Sequence, residues 1–385
     1  MLNERLKWID GLKGIACVCV LWHHFFLAFL PRMYFGGTAA KHISVISEEN
    51  LAQSPFLFFL NGNFMVALFC ALSGIVVSIS VFRAKCNKIG NIILKRYPRL
   101  MLPIIPIAIM VYIVIQKVPF YHMEVSTITG SAWLGGFYTD SISFGKIIYS
   151  VLIGIWLDGD TTISNAYWML SQLFWGTFVI IVCTLVVKNI NLKGSIIFLG
   201  GCTVFMLFLN NMIFIFPLSV LITYMYLHYG KLFQNKIVGI VCIIIGCFLG
   251  AYPSGIEHPT NIYRYLNFNI ANINIYTFWH VIGAVILIVG VICSGDFKAV
   301  LECKVLMKLG KISYSIYLIH IPIIYFASSY IFMKFYTTNH YLKTVGIIFI
   351  VTNVIVVILA DLYSRIIEKN CTHIVNYMCR IIENE

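Results

Sequence analysis

At ten places along this chain, about 15 to 25 residues pass with few or no charges among them. A run of that length and apolarity limits the fold severely. In hydrocarbon no water is present to satisfy backbone N–H and C=O groups, so a spanning segment must be helical or part of a closed barrel. About 20 residues of α-helix cross a bilayer. The runs lie at roughly 14–30, 56–82, 100–116, 166–187, 195–209, 212–227, 237–251, 274–294, 312–333 and 344–363. They predict an all-α polytopic membrane protein, a bundle of about ten transmembrane helices forming a single domain over residues 1–385, with no separate soluble domain. Only 11% of the residues are charged and 60% are hydrophobic, against about a quarter charged in an ordinary globular chain. That composition excludes a disordered chain, a coiled coil and a disulfide-stapled secreted module.

A net charge of +12 raises nucleic acid as a partner, but the placement of the charges follows a membrane instead. With the N-terminus inside, 20 of the 27 Lys and Arg residues fall on the inner side of the ten predicted spans. The positive-inside rule therefore predicts cytoplasmic N- and C-termini and no nucleic-acid partner. The densest cluster is Arg83, Lys85, Lys88, Lys95, Arg96 and Arg99, a stretch without Asp or Glu. It suits either a topology determinant near anionic headgroups or a phosphate-binding site. None of the twelve cysteines falls in a predicted outer loop: eight lie within spans, and Cys86, Cys303, Cys371 and Cys379 lie inside. No structural disulfide is expected, and no Cys/His spacing suggests a metal. The basic start followed by an apolar run lacks a clear cleavage site and reads as a retained first helix. The longest outer connection, Pro119 to Asn165, contains an apolar stretch from Ile147 to Leu157 too short to span. A re-entrant or interfacial helix is predicted there.

Ionisable groups inside a bilayer are costly and therefore functional candidates. At 100° per residue, Lys13 and His24 lie about 20° apart in phase and about 16 Å apart along one helix face. Asp10 lies about 40° to the other side of that line, whereas His23 points about 80° away from Lys13. A charged pair at the inner mouth and an imidazole near mid-membrane thus share one stripe. Histidines in spans also serve as ordinary interhelical hydrogen-bond partners. In the ninth predicted span Tyr317 precedes His320 by three residues and shares its face.

Four segments carry a family resemblance. Trp8-Ile9-Asp10-Gly11-Leu12-Lys13-Gly14-Ile15-Ala16, with His24 eleven residues after Lys13, resembles the basic-x10-His motif of the acyltransferase 3 family of integral-membrane O-acyltransferases. Leu68-Phe69-Cys70-Ala71-Leu72-Ser73-Gly74 resembles its second-helix signature, and Lys95-Arg96-Tyr97-Pro98-Arg99 with Pro103 is similar to its basic third-helix start. Gly310-Lys311-Ile312-Ser313-Tyr314-Ser315-Ile316-Tyr317-Leu318-Ile319-His320-Ile321-Pro322 is similar to the late Ser-Tyr-x-x-Tyr-x-x-His-x-Pro segment. The chain departs from the pattern at Lys13, where Arg is usual; charge is kept but the planar fork is lost. Many relatives carry Glu five residues after the Trp of the fourth helix. Here Trp168 is followed at that spacing by Leu173, with Gln172 one position short. Near the end, Arg365 and Glu368 resemble the family's close, with Asn370 in place of a frequent Pro.

The resemblance implies transfer of an acyl group, most often acetyl, from cytoplasmic acyl-coenzyme A to a hydroxyl of a cell-surface carbohydrate. Compartment logic points to a bacterial plasma or inner membrane as the location of this integral, multi-pass chain. In that reading Lys13, Arg96 and Arg99 bind the phosphates of acetyl-CoA as charge-assisted donors. His24 serves as general base or acyl carrier, Asp10 orients Lys13 or balances its charge, and Ser73, Tyr317 and His320 line the cavity. No metal cofactor is implied. For Asp158-Gly159-Asp160 and Trp168 the simpler reading is a solvated turn followed by an interfacial Trp, with sugar contact as the alternative. The competing functional class is a transporter or flippase of a lipid-linked or polymeric sugar, and a third reading is a different multi-span acyltransferase class acting on lipids or proteins, which the first-helix motif disfavours.

Overall fold

The structure, a computed structural model, describes residues 6–43, 47–85, 88–209, 212–337 and 340–383, and every regular element among them is helical. Cys86 lies outside the described residues. Seven helices are long and apolar enough to cross a membrane. In chain order with the shorter apolar helices they are α1 (Lys7–Phe29), α2 (Gly62–Arg83), α3 (Ile89–Lys117), α4 (Phe144–Leu157), α5 (Trp168–Val187), α6 (Leu192–Leu207), α7 (Met212–His228), α8 (Lys236–Gly250), α9 (Ile275–Cys293), α10 (Ser313–Phe335) and α11 (Tyr341–Ile381).

A helix is present at each of the ten predicted positions, but α6, α7 and α8 run only about 22–26 Å at 1.5 Å per residue, short of a hydrocarbon core about 30 Å thick. Their outward faces are nonetheless apolar: Ile197, Phe205, Ile237 and Ile244 are all more than 60% exposed. Apolar exposure on that scale suits contact with lipid. The second predicted span begins later than the hydropathy suggests, because Pro55–Leu60 winds into a separate 3-10 turn before α2. The apolar stretch around Ile147–Leu157 is helical as part of α4, and Ile148, Leu152, Ile153 and Leu157 are exposed along it.

At the centre of the bundle, α1 packs against α2, α10 and the short helix Lys304–Lys311. Glycines set the last of these contacts. A Cβ on Gly14 would lie 2.5 Å from the Leu306 oxygen and one on Gly310 would strike the Asp10 carbonyl, while one on Gly11 would strike the Leu301 carbonyl at the end of the neighbouring short helix Gly295–Leu301. The two backbones meet directly, as small residues allow in membrane helix pairs, and Lys13 stands beside Gly14 at this crossing. Within α10, Pro322 carries no N–H to donate, and the next six residues, Ile323–Ser328, relax into a π turn.

Candidate active site

Two cavities lie end to end along α1. The first opens at the end of the bundle where α1 begins, here termed the basic end, and has a volume of about 280 Å³. Lys13, Arg96 and Arg99 line it together with Ser73, Tyr317 and Glu368. Arg96 extends from α3 across to α2 and α5, donating from Nη2 to Ser73 Oγ at 3.3 Å and to the Leu173 carbonyl at 3.2 Å. Its Nε is buried without a hydrogen-bond partner among the described residues. Glu368 is held in the wall by Ser315, whose hydroxyl donates to Oε2 at 2.7 Å. Asp10 belongs to neither cavity wall; its backbone carbonyl packs on Gly310 one turn before Lys13.

The second cavity, about 270 Å³, is lined by His23, His24, Tyr34, Trp133, Asn165 and Tyr317, among others. Tyr317 belongs to both cavities and forms part of the partition between them. Two reciprocal bonds hold it there: Tyr317 donates to the Ala166 carbonyl, and Tyr167 donates to the Leu318 carbonyl at 3.0 Å.

Carbonyl oxygens only accept, and this assigns the tautomers of the histidine pair. His320 Nδ1 lies 2.8 Å from the Tyr317 carbonyl, so it carries the proton and donates. His320 Nε2 is therefore an acceptor. His24 Nδ1 lies 3.0 Å from the Val20 carbonyl and 3.1 Å from His320 Nε2. It is the protonated nitrogen, shared between those two acceptors. His24 Nε2 is left with the lone pair, on a ring that borders the cavity. Trp133 stacks on that ring at 5.5 Å and 26°.

The sequence places Lys13 and His24 on one stripe, and the structure puts one in each cavity along that stripe. His23, 80° away in helical phase, nevertheless borders the same cavity as His24, with ring centroids 4.9 Å apart. Its Nδ1 donates to the Leu60 carbonyl at 2.8 Å, and Gly62 leaves room for its ring. The reading of the 158–168 segment divides. Asp160 closes a turn, accepting from Lys146 Nζ at 2.8 Å and from Thr162 N at 2.6 Å. Burial works to raise its pKa, but these hydrogen bonds and the Lys146 charge outweigh that and hold it below the usual carboxylate range. Trp168, in contrast, is more than an interfacial anchor, because it lines the histidine cavity.

Sequence reasoning missed Trp133, Asn63 and Asn165. Trp133 sits on the short helix Ala132–Gly135, anchored by Ser131 Oγ to the Leu27 carbonyl at 2.6 Å and by Tyr325, whose hydroxyl donates to the Trp133 carbonyl at 2.8 Å. An aromatic residue two positions before a Gly-Gly pair, within the longest predicted connection, was its only local signal.

A multi-span helical bundle with a cationic cavity at one end and an oriented imidazole at the other has the parts of a membrane-embedded group-transfer enzyme. The acyltransferase 3 family model, described as an acyltransferase domain, matches residues 6–362. The chain belongs to that family and is a membrane acyltransferase. No curated protein and no solved structure gave a significant match.

Proposed function

We propose that the protein moves an acyl group, acetyl in the simplest case, from acyl-coenzyme A bound at the basic end to a hydroxyl of a carbohydrate in the histidine cavity. The observation that carries this reading is the contrast between the two cavities. The first gathers Lys13, Arg96 and Arg99, suited to a polyphosphorylated donor. Among the described residues the second has no Lys, Arg, Asp or Glu in its wall, and it offers imidazole, amide, phenol and indole groups, suited to a neutral polyol. The excess of Lys and Arg on the inner side orients the basic end toward the cytoplasm, where acyl-coenzyme A is found.

Lys13, Arg96 and Arg99 hold the donor phosphates, and Ser73 positions Arg96. The thioester end of the donor approaches the partition at Tyr317. His24 Nε2 takes the proton of the acceptor hydroxyl as its oxygen attacks the thioester carbonyl. The tetrahedral species collapses with loss of the coenzyme A thiolate, and the proton on His24 passes to that leaving group or to water. His320 acts through His24, holding its Nδ1–H so that Nε2 stays free to accept. Asp10 sits at the crossing where Lys13 stands.

The test is transfer of label from acetyl-coenzyme A into alkali-labile ester on glycan in inverted membrane vesicles. The wild-type chain should incorporate label, and Lys13→Met or Arg96→Met should raise the donor KM. If the wild type labels no glycan pool while export of a glycan depends on the chain, the transport reading replaces this one.

A further inference from the structure

Beside the histidine cavity, at the same end of the bundle, lies another of about 400 Å³, formed between α2, α5, α7 and α9. The two share a wall: Asn63, in the first turn of α2, and Trp168, at the start of α5, line both. They are two lobes of one depression, which together fall within the size range of small-molecule sites, about 300–1,000 Å³.

Among the described residues the second lobe, like the histidine lobe, has no Lys, Arg, Asp or Glu in its wall, which argues against an anionic ligand. It is not a lipid slot either. The groove between α3, α10 and α11 shows what that looks like here, with Ile107, Met110, Ile323, Leu359 and Ile366 in its wall. The second lobe instead presents Asn63, Gln172, Asn274, Tyr276 and Thr277 around the Trp168 indole. Gln172 stands one turn beyond Trp168 on the same face of α5, and its Oε1 is buried with no hydrogen-bond partner among the described residues. In the histidine lobe Asn165 Oδ1 is in the same state. Each lobe therefore holds a buried amide oxygen that can only accept, and burial without a donor is costly. Asn274, which lines the lobe, uses its own Oδ1 to accept from Thr277 N at 3.0 Å, capping α9, so that its NH2 is the donor group it has left to offer. Amide acceptors and donors around an indole face match the alternating hydroxyls and C–H faces of a pyranose.

We infer that the second lobe binds the sugar unit next to the one that is acylated, so that the acceptor is an uncharged glycan of at least two units. One unit lies beside His24 and its neighbour lies on Trp168 against Gln172 and Asn274. This rests on the acyl-to-carbohydrate reading above and narrows its substrate class.

The full chain, reconstituted in nanodiscs with labelled acetyl-coenzyme A, is offered the methyl glycosides of glucose, galactose and N-acetylglucosamine and their matching homodisaccharides. At least one disaccharide should show a KM about tenfold or more below that of its monosaccharide. Gln172→Leu, which keeps volume, and Asn274→Asp, which keeps the cap but loses the donor, should each raise the disaccharide KM about three- to tenfold, the worth of one neutral hydrogen bond. The monosaccharide KM should move less than twofold, a split that general loss of folding would not produce. Equal KM values for both acceptor lengths, unmoved by either variant, overturn the inference and leave the acyltransferase reading intact. Absence of label from every sugar while acetyl-coenzyme A is consumed overturns that reading and takes this inference with it.

Discussion

Replacing His24 by Asn separates the two nitrogens of the ring. The Asn amide NH2 reaches close to the place of imidazole Nδ1, where the 3.0 Å bond to the Val20 carbonyl and the 3.1 Å bond to His320 Nε2 are made. Nothing in Asn reaches the position of Nε2. The variant should therefore keep the local hydrogen bonds, with a change in melting temperature of only a few degrees, and lose the lone pair assigned to proton abstraction. General-base catalysis contributes about 10²–10⁴-fold, which is about 2.7–5.4 kcal/mol of barrier at 1.36 kcal/mol per decade. The loss should fall on kcat, with the KM for acyl-coenzyme A within about twofold, because the basic cavity proposed to hold the donor lies at the other end of α1, about 16 Å from His24 along the helix axis. The assay is initial-rate transfer from labelled acetyl-coenzyme A in reconstituted membranes, with His24→Gln as a comparison that fails to supply the Nδ1 donor. If His24→Asn retained kcat within threefold of wild type, the tautomer argument and the role given to Nε2 would both be wrong.

Three further outcomes follow from other contacts. Arg96→Met removes the guanidinium that reaches Ser73 and the Leu173 carbonyl; a lost charge-assisted contact of about 1.5–3 kcal/mol should raise the donor KM roughly tenfold or more, read by donor titration. Gly14→Ala places a methyl 2.5 Å from the Leu306 oxygen and 2.9 Å from Gly310 N, so the α1 crossing must open. Overpacking of this kind costs about 1–3 kcal/mol and should lower thermal stability in detergent while raising the donor KM through displacement of Lys13. Asp160 has a folded-state pKa below its unfolded value, so its contribution is present above about pH 4 and is lost as pH falls through the folded value. Asp160→Asn should therefore lower the melting temperature near neutrality and bring it close to wild type at the acid end of a pH series.

The glycines of the first motif show how sequence and packing divide the explanation. Gly11 and Gly14 are legible as small residues beside Lys13, but their purpose appears only when Leu301, Leu306 and Gly310, about 300 residues away in sequence, are brought against them. The third helix is similar: Arg96 is recognisable as a cation at the membrane boundary, whereas its bond to Ser73, from a different helix, comes from α3 lying across α2 and α5.

By itself the sequence determined the helical class, the membrane environment, the family, and the shared stripe of Lys13 and His24. These depend on local quantities: hydropathy over one span, the solvation of backbone groups in lipid, and the 100° step of an α-helix. Tertiary structure alone decided that Tyr317 stands between two cavities, that Trp133 stacks on His24, that His23 turns into the same cavity, and that Gln172 and Asn274 meet across a second lobe. Those juxtapositions rest on bonds between distant segments, such as Ser131 to the Leu27 carbonyl, Tyr325 to the Trp133 carbonyl and His24 to His320. No periodicity within one helix records which loop will close over its end.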